Sequence, residues 1–333
     1  MRKMSSEPGT PVNRTTLNGP TMGTIWSVSL DAHRSVDLSA LRADLAAAVE
    51  QVDQQMSPWK PDSDLVRLNR AAVGAWVDLP AEMLEVLDCA LDVTRLSDGA
   101  FDPCVGALVD AWGFGAVRDA PDPQAIRLAR QARPPVAHEC LELDRPAGRV
   151  RKHAASQLDL CGIAKGFAVD RMADVLRRHH VRHALAALDG ELRAVGAQAS
   201  GHPWAVALER PEPGRRVVHG VIELEDVAVA TSGDYRRYLD VEGARLAHTM
   251  DARRCAPVHN VVASVTVLAG TCMQADAWAT ALLVAGADKG LAMAQRMRMD
   301  VLYLLRRAEQ VVEVGLGRFG TSADRSSLAC HEG

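Results

Sequence analysis

Asp276 and Thr280 stand four residues apart in the segment Thr271-Cys-Met-Gln-Ala-Asp276-Ala-Trp-Ala-Thr280-Ala-Leu-Leu-Val-Ala-Gly286, a spacing that puts both on one helical face. Thr271 followed three residues later by Gln274 is a capping box that starts the helix. Gly286 is the expected stop, in the left-handed position after the last turn. A carboxylate and a hydroxyl on one face offer two hard oxygens of the kind Mg2+ or Ca2+ takes. A purely structural arrangement satisfies the same residues, with the Asp complementing the helix dipole and Thr280 packed or bonded to a carbonyl. From this segment alone both readings stand.

A second segment, Leu158-Asp159-Leu160-Cys161-Gly162-Ile163-Ala164-Lys165-Gly166-Phe167, delivers Asp159 from a strand end, turns at a glycine and enters a helix at Lys165. Lys at a helix start opposes the dipole unless an anion such as a phosphate offsets it. Backbone carbonyls near Gly162 offer a third oxygen to a metal, and an ordinary strand-turn-helix corner accounts for the residues equally well. A third segment, Asp98-Gly-Ala-Phe-Asp-Pro-Cys104 with Trp112-Gly-Phe-Gly115 after it, defines a tight loop flanked by aromatics. These rings stack on a planar ligand or simply pack. A fourth cluster holds Asp234, His248, Asp251 and Arg253. An unperturbed imidazole has a pKa of ~6.5, so His248 is a candidate base, while a lone histidine after a turn also serves as a purely structural residue.

Two patterns are set aside. Gly315-Leu-Gly317-Arg-Phe-Gly320 matches GxGxxG after a strand, but only 13 residues follow Gly320, too few for the rest of a dinucleotide-binding unit. His179, His180 and His183 close a helix, where positive side chains are expected, and no further ligand completes a metal site.

The elements that must hold these residues are legible from periodicity. Thr24–Leu30 alternates as a strand. Leu38, Leu41, Leu45, Val49, Val52 and Met56 recur at helical spacing until Ser57 and Pro58. Further helices are expected from Pro80, as the first helical residue, to Leu96, and from Lys165 to about His180. Further strands are expected at Ala205–Leu208, Val217–Leu224, Val227–Thr231 and Val261–Leu268. Strands and helices mix without a regular alternation, so the class is α+β. The first 17 residues read as a disordered leader, 18–320 as one catalytic unit and 321–333 as a tail.

Composition excludes several function classes. Hydrophobic residues make up 48% and charged residues 24% of 333, which excludes a mainly disordered chain. Lys and Arg number 38 against 42 Asp and Glu, so the charge of −4 argues against a nucleic-acid binder. Seven cysteines without a CxxC pair point to a reducing compartment rather than a disulfide framework. No apolar run approaches a membrane span, and the N-terminal residues lack the apolar core of a signal peptide. A cytoplasmic location is the expectation.

Taken in order, these segments resemble the ApbE family of FAD:protein FMN transferases. The matching pieces are Thr21-Met-Gly-Thr24, Met56-Ser-Pro-Trp59 with Pro61-Asp-Ser-Asp64, Ser97 to Pro103, Trp112 to Gly115, Asp159 to Asp170, Gly190-Glu-Leu-Arg193, Ala230 to Tyr235, and Thr271 to Gly286. The resemblance implies an α+β fold of mixed and antiparallel sheets with packed helices around a flavin-binding cleft. It implies Mg2+-dependent transfer of FMN from FAD to a Thr or Ser hydroxyl of a partner flavoprotein, releasing AMP. By matched position, Asp276 and Thr280 are metal ligands through their side chains and Gly162 through its carbonyl. Met22, Trp59, Ala100, Phe101, Asp102, Asp159, Lys165 and Met250 line the FAD site, and His248 or Asp251 takes the acceptor proton.

Two departures from the family pattern matter. Asp189 stands before Gly190 where members commonly have a second glycine. His248-Thr-Met-Asp251-Ala-Arg253-Arg-Cys255 replaces a His-x-x-Asp-Pro-Arg-Thr-Gly pattern, a change expected to loosen or reshape the loop. Two other functions share the same site: a FAD pyrophosphatase giving FMN and AMP, and a non-catalytic flavin-binding assembly protein.

Overall fold

In the computed structural model, which describes residues 13–132, 135–212, 214–235, 238–241, 244–307 and 310–320, the chain opens with a hairpin of Asn13–Thr21 (β1) and Thr24–Ala32 (β2). Its two turn residues, Met22 and Gly23, both take positive φ (46° and 70°), the conformation whose twist matches a tight hairpin. The strand begins at Asn13, so the folded part includes residues assigned from sequence to the leader. Residues 1–12 and 321–333, expected to belong to the leader and the tail, lie outside the described residues.

Six more strands complete one sheet: Ala184–Leu188 (β3), Glu191–Val195 (β4), Ala228–Gly233 (β5), Val262–Ala269 (β6), Asp300–Arg307 (β7) and Gln310–Leu316 (β8). Their order in space follows their order in the chain, and every neighbouring pair is antiparallel. The other described elements are inserted between consecutive strands, apart from a turn at Gly317–Phe319 that follows β8. The expected α+β class is the observed one.

The main helices are Leu38–Met56 (α1), Ala81–Leu96 (α2), Ala164–Arg178 (α3) and Cys272–Arg296 (α4). Asp37 caps α1 through the N–H groups of Ser39 and Ala40, and the helix stops at Ser57 before Pro58. Pro80 sits one position outside α2 with extended ψ, so it precedes the helix rather than opening it. Helices α3 and α4 pack on the central strands and on each other, with α1 against α3. Leu41, Leu45, Val49, Phe167, Met172, Leu176, Val265 and Leu282, all buried, form the shared core.

The expected stop of α4 at Gly286 is a kink instead: φ of 78° and ψ of 176° break the helix there, and it resumes to Arg296. The carbonyls this exposes find partners, since Asn260 donates to Leu283 O at 2.9 Å and Arg253 to Val284 O at 3.5 Å. Residues 157–160 are not a strand but an extended segment. Asp159 N donates to Pro103 O and Gly106 N to Gln157 O, which ties this segment to the 98–106 loop. Four smaller sheets accompany it among the described residues: a three-stranded sheet (Trp76–Asp78, Arg149–Lys152, Leu141–Asp144), a hairpin of Trp204–Arg210 with Val217–Leu224, and the short pairs Tyr238–Val241 with Ala244–Ala247 and Met250–Asp251 with Ala256–Pro257. No helix of the described residues is long and apolar enough to cross a membrane. No disulfide joins the described cysteines, Cys89, Cys104, Cys140, Cys161, Cys255 and Cys272.

Candidate active site

The start of α3, the start of α4 and the ends of β4 and β5 converge on a cleft of about 820 Å³. Their approach depends on Gly166. A Cβ at that position would lie 2.3 Å from Cys272 O and 2.8 Å from Asp276 Cβ, so only glycine lets α3 and α4 meet this closely. Asp170, one turn further along α3, accepts from the N–H groups of both Cys272 and Met273 at 2.9 Å and pairs with Arg193 of β4. Thr271 accepts from Gln274 N as the capping pattern requires. The first turn of α4 is therefore fixed by a buried carboxylate and a cap, and it is this turn that delivers Asp276.

Asp276 is 3% exposed, and its Oδ2 accepts the Gly166 N–H at 3.0 Å. Burial pushes its carboxyl up to about 8, with the nearby Glu191 carboxylate adding to the effect and Lys165 opposing it. Thr280 follows one turn on, its Oγ1 3.0 Å from the Ser232 hydroxyl of β5. Gly162 faces the same spot, since a Cβ there would lie 3.2 Å from Thr280 Oγ1 and 3.3 Å from the Phe101 ring. Among the described residues no group of three or more His, Cys, Asp or Glu is arranged to hold a metal. The hard oxygens that do gather are one carboxylate, two hydroxyls and the backbone at Gly162.

Lys165 Nζ lies 2.8 Å from Glu191 Oε1 and 3.4 Å from Asp189 Oδ2. Burial alone would lower the ammonium, but Glu191, Asp276 and Asp189 more than offset this and hold it above the usual lysine range. Asp159 also lines the cleft, and burial raises its carboxyl against the opposing hydrogen bond from Cys161 N.

The opposite part of the cleft is less polar. Ala100 and Phe101, both buried, enter it from the loop begun by Asp98 and Gly99, which take φ of 56° and 68°. Asp102 closes this loop by accepting from Cys104 N at 2.8 Å and Ala137 N at 3.3 Å. Burial lifts its carboxyl to about 6, those two donors pulling the other way. Trp59 (53% exposed), Phe114, His248 and Met250 line the same space. The Phe114 and His248 rings meet edge to face at 6.5 Å.

Most residues expected from the sequence thus share one cleft: Trp59, Ala100, Phe101, Asp102, Asp159, Gly162, Lys165, His248, Met250, Asp276 and Thr280. Met22 does not line it; it packs on the core while its neighbours Gly23 and Thr24 reach the cleft. Asp251 does not line it either. Its carboxylate accepts from Arg253 N and Nε, and Arg253 in turn reaches Val284 O beside the α4 kink. Asp234, from the same sequence cluster, is bound to Arg306. Of that cluster, His248 alone lines the cleft. Glu191, Ser232 and Asp170 carry no site assignment in the sequence reading, because their partners lie in distant elements. The available signal was that all three lie in segments matched to the family pattern, Gly190-Glu-Leu-Arg193, Ala230 to Tyr235 and Asp159 to Asp170.

The family model described as the ApbE family matches residues 22–304. The chain belongs to the ApbE family. It is 34% identical over 314 residues to a Vibrio cholerae protein named FAD:protein FMN transferase, covering 93% of this chain and 92% of that one. A Haemophilus influenzae protein of the same name is 35% identical over 297 residues, covering 87% and 86%. Among solved structures, the flavin transferase ApbE from Vibrio cholerae superposes with a TM-score of 0.83 at 32% identity, covering 95% of this chain and 99% of that one. The ApbE protein from Thermotoga maritima gives 0.81 at 27%, covering 92% and 98%.

The two departures from the family pattern lie at positions of positive φ. Asp189, where a glycine is usual, takes φ of 56°, and Cys255, at the glycine of the second pattern, takes φ of 51°. Both turns keep a glycine-like conformation with a side chain in place. The 251–255 loop is tied by hydrogen bonds: Arg254 N donates to Asp251 O, Cys255 N to Ala252 O, and Met250 and Asp251 pair with Pro257 and Ala256.

Proposed function

We propose that this ApbE-family chain is an FAD:protein FMN transferase, moving FMN from FAD to a Thr or Ser hydroxyl of an acceptor flavoprotein and releasing AMP. The observation that carries this reading is the division of one cleft into two chemically distinct parts. Asp276, Thr280, Ser232, Gly162 and Lys165 supply hard oxygens and a cation suited to a diphosphate, while Phe101, Trp59, Met250 and Phe114 supply surface for planar rings.

The donor set fits a divalent cation. Asp276, Glu191 and Asp189 lie around the Lys165 ammonium, and Asp276 stands one helical turn from Thr280 with Gly162 facing the same spot. Asp276, Thr280 and the Gly162 carbonyl would hold Mg2+. Bound there, it would neutralise charge at the diphosphate. The acceptor hydroxyl attacks the phosphorus of the FMN half, its proton passing to His248, the imidazole in the cleft. The bridging P–O bond breaks and AMP leaves with the bridging oxygen, in line with the attack. Lys165 offsets phosphate charge, and the 98–102 loop orients the flavin. The seven cysteines without a CxxC pair favour a reducing compartment and, with it, a cytoplasmic acceptor.

The test is AMP release from FAD with and without Mg2+, and with and without a peptide carrying an acceptor Thr. AMP that needs both, with FMN mass added to the peptide, is the expected result. Metal-dependent AMP without peptide would make the chain a pyrophosphatase, and no AMP in any mixture would make it a flavin-binding protein.

A further inference from the structure

The segment that carries Asp159 into the cleft is extended, yet among the described residues no strand lies beside it. Its backbone groups therefore need partners of another kind. They find them on alternating sides. Gln157 O accepts from Gly106 N at 2.9 Å and Asp159 N donates to Pro103 O at 2.8 Å, both toward the 98–106 loop. Ser156 and Leu158 turn the other way. Ser156 O accepts from Lys152 Nζ at 3.2 Å. Leu158, 2% exposed, is met by Asn69, which donates from Nδ2 to Leu158 O at 2.9 Å and accepts from Leu158 N on Oδ1 at 2.8 Å. This is the two-residue alternation of a strand between two neighbours, with a single carboxamide standing in for one of them.

Asn69 is itself firmly placed. It belongs to the last turn of the short helix Asp64–Arg70, whose Leu65 and Leu68 are buried in the core. Its own carbonyl, of the kind a helix end leaves without an internal partner, accepts from Lys152 Nζ at 2.8 Å. The buried Lys152 ammonium thus ties the helix end and the extended segment to one point. Asn69 does not line the cleft, whereas Asp159, one residue beyond its grip, does. We infer that Asn69 is a positioning residue for the flavin substrate: by holding Leu158 at both backbone groups it sets where Asp159 enters the cleft, and so how FAD fits. The inference rests on the reading of this cleft as the FAD site given above.

The experiment titrates FAD into the full chain without an acceptor, first with Mg2+ and then without it, and reads flavin fluorescence. Melting temperature is recorded in parallel. Asn69→Leu keeps the size of the side chain and removes both hydrogen bonds. It weakens FAD binding about 10- to 100-fold, the scale of a 1 Å misplacement, at a temperature where the variant is fully folded. Asp159→Ala weakens binding as well, and adding Asn69→Leu to it costs nothing further, because Asn69 acts through Asp159. Asn69→Asp keeps the acceptor for Leu158 N and loses the donor; it weakens binding in the same direction and serves if the leucine variant fails to fold. A lowered melting temperature with unchanged FAD affinity overturns the inference, since Asn69 would then only hold the fold. Losses that add up in the double variant overturn it too. Asp159→Ala that binds FAD like wild type overturns the inference and leaves the transferase reading standing. Wild type that binds no FAD in either state overturns the reading of the cleft, and the inference with it.

Discussion

Asp276 unites the two demands made on this site, burial and charge. Replacing it with Ala is expected to abolish AMP release while circular dichroism stays unchanged, because among the described residues its carboxylate holds only Gly166 N; wild-type rates at limiting Mg2+ would refute the assignment. Asp102 gives a pH prediction whose sign follows from its environment. Its folded carboxyl sits at about 6, above its ordinary value. A raised carboxyl contributes stability that is fully present below its unfolded pKa and is lost as pH rises through the folded one. Wild type therefore loses this contribution between about pH 4 and pH 6. Asp102→Asn removes the dependence, so its melting temperature relative to wild type should climb across that window and level off above it. A difference that stays flat from pH 4 to 7 would exclude burial as the cause. At this scale the sequence is a partial guide. Asp276 and Thr280 are legible because i,i+4 spacing is local, whereas the Ser232–Thr280 and Lys165–Glu191 contacts join residues of separate elements.

The elements divide in the same way. Helix α1 runs from Leu38 to Met56 as its periodicity requires, and Val217–Leu224 is a strand with its expected bounds. The kink in α4 was not legible as one, because a glycine that ends a helix and a glycine that bends it look alike until the next turn finds a place to pack. Gly286→Ala forces a side chain into a conformation that costs about 1–3 kcal/mol, and urea unfolding should show that loss with turnover retained. Gly166→Ala inverts the usual rule. Alanine is the better helix former by about 1 kcal/mol, yet its Cβ would collide with the Cys272 carbonyl, so both melting temperature and turnover should fall. Asp170→Ala strips the first turn of α4 of its acceptor and strands Arg193 in the interior. Breaking such a pair costs about 3–5 kcal/mol, which a denaturant titration measures directly.

Across the whole molecule, the sheet follows chain order, and each insertion between strands brings something to one end of it. Helix α3 contributes Lys165, the 204–224 hairpin contributes Val206 and Leu208, and the segment after β5 contributes His248 and Met250. The α+β class was legible because strands and helices alternate irregularly. The strand order was not, since antiparallel partners here are separated by insertions of very different length.

One consequence follows from Trp59, whose indole is half open to water at the cleft while Trp26, Trp204 and Trp278 are buried. A solvated indole emits further to the red than an enclosed one, and a flavin close by drains that emission. The long-wavelength edge of the fluorescence spectrum is therefore a built-in gauge of occupancy. It should dim as FAD loads and recover as flavin departs on the acceptor, so single turnovers can be followed without any label.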